Sequence, residues 1–105
     1  MSPATEPRTI RVQLPSHLRT LAGVPGEVVV ETADPSVRGV MDALEVLHPV
    51  LRGTIRNHED GVRRDYMRYF ACGEDISHDP VDTILPDPVL RGKEPLRVVG
   101  AISGG

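Results

Sequence analysis

Apolar and polar residues alternate in two segments near the start of the chain, and this pattern predicts half-buried β-strands. Residues 9–14 place aliphatic side chains on one face, those of Ile10, Val12 and Leu14. Residues 27–32 repeat the pattern with Val28 and Val30. Pro15 cannot donate a hydrogen bond to a sheet, so it is expected to close the first strand. The two segments are predicted to be neighbouring strands of one sheet.

An apolar stripe at helical spacing follows the second strand. Its members lie three or four residues apart and therefore share one face of a helix; they are Val37, Val40, Met41, Leu44 and Leu47. Asp34 and Pro35 are expected to begin this helix, because aspartate caps free backbone amides and proline suits the first turn. Pro49 is expected to end it.

The rest of the chain predicts two more strands, at residues 66–71 and 96–99. Residues 16–22 suggest one helical turn, and residues 50–64 look polar and irregular. Four prolines in residues 77–95 indicate a long loop. The order strand, strand, helix, strand, strand predicts an α+β fold, in which a mixed sheet of four to five strands packs on one main helix.

Composition limits the classes of protein to which the chain can belong. Its 105 residues suit one domain, and 39% hydrophobic residues with a single Phe, two Tyr and no Trp predict an aliphatic core. A net charge of −3 argues against nucleic-acid and membrane partners. No apolar run is long enough to span a bilayer, and residues 1–11 lack the apolar segment of a secretory signal. One cysteine, Cys72, suits a reducing cytoplasm.

The sequence contains no arrangement typical of a catalytic or metal site. The four histidines are far apart, and zinc sites need closer spacing. The adjacent residues 58–60, His-Glu-Asp, are interpreted as a solvated turn. Cys72 lacks a recognisable histidine partner and is interpreted as structural. We therefore predict no catalytic residues and no metal, and we do not expect the chain to be an enzyme.

The order of the elements, together with several short motifs, resembles the MoaD/ThiS family of ubiquitin-like sulfur carriers. The matching segments are residues 10–12 (IRV), 40–45 (VMDALE), 48–51 (HPVL), 67–76 (MRYFACGEDI), 85–87 (LPD) and 101–105 (AISGG). They extend over nearly the whole chain after residue 8. Two features depart from the family pattern. Cys72 stands where family members often have asparagine, and residues 88–95 lengthen the connection to the last strand.

The resemblance implies a β-grasp fold and a function in sulfur transfer. The Gly105 carboxylate would be adenylated by a partner and converted into a thiocarboxylate, which donates sulfur to a biosynthetic pathway (molybdopterin, thiamine, cysteine or another thio-metabolite). Gly104, Ser103 and Ile102 would thread into the partner. No tightly bound cofactor is implied, since ATP is used by the activating enzyme. The implied partners are a ubiquitin-activating-type adenylyltransferase (MoeB/ThiF-like), a sulfur donor protein and a sulfur-accepting synthase.

Two other functions are compatible with the same sequence. The chain is alternatively a ubiquitin-like protein modifier conjugated through Gly105, or a non-reactive β-grasp binding module. In each case we expect residues 1–7 to be a mobile N-terminal tail, residues 8–99 a single domain and residues 100–105 a flexible Gly-Gly tail.

A docking surface is predicted on the sheet face that points away from the helix. If Met67, Tyr69 and Ala71 face the helix, the alternation places Phe70 on the open face. Val29 and Val99 are expected to share that face with Phe70. The opposite register would bury Phe70 in the core, because a slip of one residue exchanges the two faces.

Overall fold

The computed structural model describes residues 7–100, which form a mixed sheet with helices. The strands are β1 (Arg8–Gln13), β2 (Val28–Thr32), β3 (Met67–Ala71), β4 (Glu74–Asp75) and β5 (Leu96–Gly100). The sheet has the order β2-β1-β5-β3-β4. β1 and β5 are parallel, and the other neighbouring strands are antiparallel. Residues 1–6 and 101–105, on which the terminal-tail predictions fall, lie outside the described range.

Helices complete the structure around this sheet. They are α1 (Ser16–Ala22), α2 (Val37–Leu47), a 3₁₀ helix (Pro49–Leu51) and α3 (Asp87–Leu90). The longest, α2, packs against β2. This two-layer arrangement confirms the predicted α+β class and the β-grasp architecture. None of the helices within residues 7–100 has the length and apolar character that a bilayer crossing requires.

The register of the strands confirms the faces predicted from alternation. Ile10 pairs with Val30 and Val12 pairs with Val28, and all four side chains are buried. In β3 the core-facing residues are the predicted ones, Met67, Tyr69 and Ala71. The core is aliphatic apart from Tyr69 and the methionines, as the composition indicated.

Helix α2 begins later than predicted. Its N-cap is Ser36, whose Oγ accepts a hydrogen bond from the Gly39 amide at 3.2 Å. Asp34 instead accepts a hydrogen bond from the Ser36 hydroxyl at 2.9 Å, so it supports the cap rather than forming it. The prediction that Leu47 belongs to the buried stripe is wrong: Leu47 is 53% exposed, because the last turn of α2 lies beside the edge of β2 and not over the sheet.

Two segments that looked irregular contribute to the core. In residues 50–64, Leu51 and Ile55 are completely buried, although no periodic pattern marks them. In residues 77–95, the loop carries α3 and buries Leu85 and Val89. The second segment is tied to the start of α2, because the Arg38 amide of the helix donates a hydrogen bond to the carbonyl of Val81 at 2.9 Å, and the Leu85 amide donates one to the carbonyl of Pro35, just before the N-cap, at 2.9 Å.

Candidate functional site: the outer face of β3 and β5

Four side chains form a compact surface on the sheet face opposite α2. Arg68 pairs with Val99 and Phe70 pairs with Arg97 in the antiparallel register of β3 and β5. Side chains of directly opposite residues share a face, with Cβ atoms about 4.5–5.5 Å apart. We call this set the outer patch; it contains Arg68, Phe70, Arg97 and Val99. Its members alternate with buried residues of the same strands, which places them away from the core.

The outer patch combines apolar area with positive charge. Phe70 and Val99 are half-buried, while Arg97 is exposed. Phe70 pairs with Arg97 of β5 on one side and with Asp75 of β4 on the other. The structure therefore places Phe70 and Val99 next to each other on the face that the alternation indicated.

Val29 lies on the predicted face of the sheet, since its strand neighbours Val28 and Val30 point into the core, but it lies apart from the outer patch. Val29 is 54% exposed and pairs with Arg11 of β1. β1 separates β2 from β5, so Val29 is two strand spacings, about 10 Å, from β5 across the sheet. Alternation assigns a residue to a face but carries no information on the order of the strands.

The two arginines of the outer patch differ in their electrostatic environment. The Nη1 atom of Arg68 lies 3.7 Å from Oδ2 of Asp75 and 3.3 Å from Nε2 of His78. Hydrogen bonds from Ser77 hold the pKa of Asp75 below its usual range, so this carboxylate is ionised at neutral pH. Arg97 forms no ion pair within residues 7–100. The patch therefore presents an uncompensated positive charge beside its apolar area.

The last described residue of β5 connects the outer patch to the predicted reactive end. Gly100 pairs with Met67 and follows Val99 directly, so it belongs to β5 rather than to the tail. The residues predicted to carry the chemistry and to thread into the partner are Gly105, Gly104, Ser103 and Ile102; they lie outside the described residues. Residue 101 therefore comes directly after β5, the strand that contributes Arg97 and Val99 to the outer patch.

Alternation in the third strand predicts that Arg68 shares the face of Phe70, whereas Arg97 was not predicted as a member of this surface. Arg97 alternates with buried Leu96 and Val98, and Arg68 alternates with Met67 and Tyr69 in the same way. The signal was therefore present in the same period-two pattern that identified Phe70. Arg97 did not stand out because a charged residue on an exposed strand face is the ordinary case.

The other candidate residues do not converge on a reactive centre. Residues 58–60 form an exposed turn, in which Oδ1 of Asp60 accepts a hydrogen bond from the Val62 amide at 2.9 Å; this confirms the interpretation as a solvated turn. Within residues 7–100, no three His, Cys, Asp or Glu side chains lie close enough to hold a metal ion. Cys72 is exposed and occupies the turn between β3 and β4.

Comparisons with known proteins identify structural relatives. No family model matches the sequence, and no curated protein matches it. The crystal structure of SAMP1 from Haloferax volcanii superposes with a TM-score of 0.71, at 24% identity over 92% of this chain and 99% of that chain.

Two further structures give similar values. The solution structure of small archaeal modifier protein 1 from Methanosarcina acetivorans has a TM-score of 0.70, at 21% identity over 95% of this chain and 99% of that chain. A chain of the Amycolatopsis orientalis BexX/CysO complex has a TM-score of 0.69, at 21% identity over 90% of this chain and 98% of that chain. At these identities the similarity shows a shared ubiquitin-like fold.

Proposed function

We propose that the chain is a ubiquitin-like sulfur carrier, whose Gly105 carboxylate is activated by a partner enzyme and converted into a thiocarboxylate. The observation that carries this proposal is the continuity between β5, the outer patch and the terminal Gly-Gly sequence. The last strand of a β-grasp body holds part of an exposed apolar and basic surface, and five small or aliphatic residues follow it. The body thus offers a docking surface close to the reactive end.

The proposed chemistry requires activation because a carboxylate is a poor electrophile. A terminal carboxyl group has a pKa of about 3.5 and is ionised at neutral pH. On the partner, a carboxylate oxygen attacks the α-phosphorus of ATP and pyrophosphate leaves. Sulfur delivered at the oxidation level of sulfide then attacks the acyl carbon, and AMP leaves. The chain supplies the carboxylate, while a MoeB/ThiF-like adenylyltransferase supplies the catalytic groups and binds ATP.

The residues that follow β5 suit entry into a narrow site. Extended at about 3.3 Å per residue, residues 101–105 reach roughly 16 Å beyond Gly100. Gly104 and Gly105 have no side chain that would widen the required channel, and Ser103 and Ile102 precede them. A sulfur donor protein and a sulfur-accepting synthase would use the same end in turn. We also propose that this ATP-dependent chemistry takes place in the cytoplasm.

The outer patch is proposed to dock the activating enzyme. Burial of Phe70 and Val99 against an apolar surface provides affinity, and the charge of Arg97, which forms no ion pair within residues 7–100, favours a carboxylate on the partner. Interface energies concentrate in such aromatic and arginine residues. One structural neighbour was crystallised as a complex of two proteins, BexX and CysO, which supports a partner-binding role for this fold.

Steady-state kinetics of the activating enzyme test this docking role. We would measure ATP–pyrophosphate exchange with Phe70→Ala and Arg97→Glu, using the MoeB/ThiF-like enzyme encoded in the same genome. We expect KM for the carrier to rise about tenfold or more while kcat changes little, because docking contacts bind the ground state and transition state alike. Val29→Ala is the matched control and should leave KM unchanged. Equal KM values for all four proteins would exclude the outer patch as the docking surface.

A protein-modifier function is the second candidate, favoured by the neighbours that are named small archaeal modifier proteins. Activation would be the same, but a lysine amine on a target would attack the acyl carbon and form an isopeptide bond. Arg97 is the last basic residue of the chain, so trypsin would leave residues 98–105 attached to each target lysine. Detection of that remnant in digests from intact cells would identify conjugation, whereas its absence alongside a thiocarboxylate would favour sulfur transfer alone.

A further inference from the structure

A groove runs between the free edge of β2 and helix α2. Its volume is about 790 Å³. One wall is formed by residues 29–34, and the other by Gly39, Asp42, Ala43, Val46 and Leu47 of α2. The groove lies near the opposite edge of the sheet from β3, because β1 and β5 lie between β2 and β3. It is therefore separate from the outer patch and from the carboxylate chemistry proposed above.

The backbone of β2 is available for pairing along this groove. In the sheet formed within residues 7–100, β2 pairs with β1 on one side and has no strand on the other. The free edge of a strand presents backbone N–H and C=O groups that can bind an added strand. Peptides are recognised in this way, with backbone hydrogen bonds giving affinity and side chains at alternate positions giving specificity.

The helix wall of the groove is unusually apolar for an exposed surface. Val46 is 75% exposed and Leu47 is 53% exposed, and Ala43 is half-buried between them and the core. These side chains lie beside the free strand edge, so an added strand could place alternate apolar residues against them. Each Å² of apolar area buried there would stabilise the complex by about 25 cal/mol.

The charges of the groove indicate the chemistry of its partner. The charged residues among its lining are all acidic: Glu31, Asp34 and Asp42. Asp42 is already paired with Arg56, at 2.5 Å. Neither Glu31 nor Asp34 forms an ion pair within residues 7–100. The unbalanced negative charge favours a basic partner.

We propose that this groove binds an extended segment of another protein, which adds to β2 as a strand. The segment carries aliphatic side chains at alternate positions, facing Val46 and Leu47. Arginine or lysine at its ends lies beside Glu31 and Asp34. A second copy of this chain is a poorer occupant if it pairs through its own β2 edge. Residues 27–34 of that copy include two glutamates and one aspartate but no basic residue.

A peptide titration monitored by NMR tests the proposal. The probe is acetyl-Arg-Val-Thr-Ile-Thr-Val-Lys-amide, added to the ¹⁵N-labelled full chain. We expect chemical-shift changes in β2 and around Val46 and Leu47. The same peptide with Glu and Asp at its ends should bind about fivefold more weakly, as expected for the loss of one or two exposed ion pairs. Shifts centred on the outer patch, or equal affinity for both peptides, would overturn the proposal, as would no shifts at millimolar peptide.

Matched variants distinguish specific binding of the peptide in the groove from nonspecific hydrophobic binding elsewhere on the surface. Val46→Lys should weaken binding of the basic peptide at least tenfold, because it places charge on the apolar wall. Val62→Lys changes a valine of similar exposure, 61%, outside the groove and should bind as the wild type does. Both variants should keep the wild-type Tm, since neither side chain is buried. If sedimentation shows a dimer that Val46→Lys dissociates and Val62→Lys does not, the groove belongs to a second copy and the proposal is wrong.

Discussion

Nε and Nη2 of Arg11 each donate to a different carboxylate oxygen of Glu27, both at 2.8 Å. The remaining guanidinium nitrogen, Nη1, donates a hydrogen bond to the carbonyl of Gly92 at 2.8 Å. Arg11 therefore links β1, the segment before β2 and the loop that leads into β5. Planar guanidinium groups suit this bidentate geometry. The contact fixes the loop from which the tail-bearing strand emerges.

This ion pair predicts a loss of stability in acid. The hydrogen bonds from Arg11 lower the pKa of Glu27 and outweigh the opposite effect of desolvation. Because the folded state binds this proton less readily, the stabilisation is complete above the unfolded-state pKa near 4 and is lost as pH falls through the lower folded-state pKa. Urea unfolding between pH 7 and pH 2 should show the free energy of unfolding declining below about pH 4.

Two variants identify the source of that decline. Glu27→Gln should lower the free energy of unfolding at pH 7 and reduce its decline at acid pH, because the ion pair is then absent at every pH. Glu59→Gln removes an exposed glutamate that has no ion pair among the described residues and should retain the wild-type profile. If Glu27→Gln also retained that profile, the contact would contribute nothing to the pH dependence.

The close approach of Asp34 to α2 predicts that Gly39 is intolerant of a side chain. A Cβ atom at Gly39 would lie 1.8 Å from the backbone oxygen of Asp34, so either the helix or the loop must move. Gly39→Ala should cost about 1–3 kcal/mol of unfolding free energy, as overpacking of a buried site does. Gly26→Ala is the control, because a Cβ there meets no atom within 4 Å and should change stability by less than about 1 kcal/mol. Equal stability of the two variants would show that Gly39 and the backbone of Asp34 are far enough apart to accommodate a Cβ atom.

The turn between β3 and β4 predicts a stabilising substitution. Cys72 and Gly73 have φ angles of 53° and 80°, the left-handed conformations that a two-residue hairpin turn of type I′ requires at both central positions. Asparagine adopts this conformation more readily than other residues with a side chain. Cys72→Asn should therefore raise the free energy of unfolding by up to about 1 kcal/mol, and Cys72→Val should lower it. The reverse order in chemical denaturation would contradict this account of the turn.

Sequence alone predicted most of the sheet because period two assigns each residue to a face. The buried side of β3 and the exposed side that carries Phe70 both followed from that rule. Val29 also lies on the predicted face, but alternation could not show how far it is from Phe70, since strand order depends on contacts between distant segments. Alternation describes only the neighbours of a residue along its own strand.

The irregular parts of the chain were the least predictable. Leu51 and Ile55 are buried without any periodic pattern around them, and β4 is too short, at two residues, to alternate. Ser36 caps α2 although Asp34 and Pro35 have the better local signal. In that case the buried position of Ser36, 0% exposed, decided which side chain could reach the free amides.

Intact-mass spectrometry tests most directly whether the carboxylate of Gly105 is the group that a partner enzyme activates. Wild type, a Gly105 deletion and Gly104→Val would be incubated with ATP, the MoeB/ThiF-like enzyme and a sulfide source. The deletion moves the carboxylate by about 3.3 Å, and a misplacement of about 1 Å can cost a hundredfold in rate. We predict that the wild type gains the mass difference between sulfur and oxygen, while both variants stay unmodified with an unchanged Tm. Modification of the deletion variant at the wild-type rate would contradict the account.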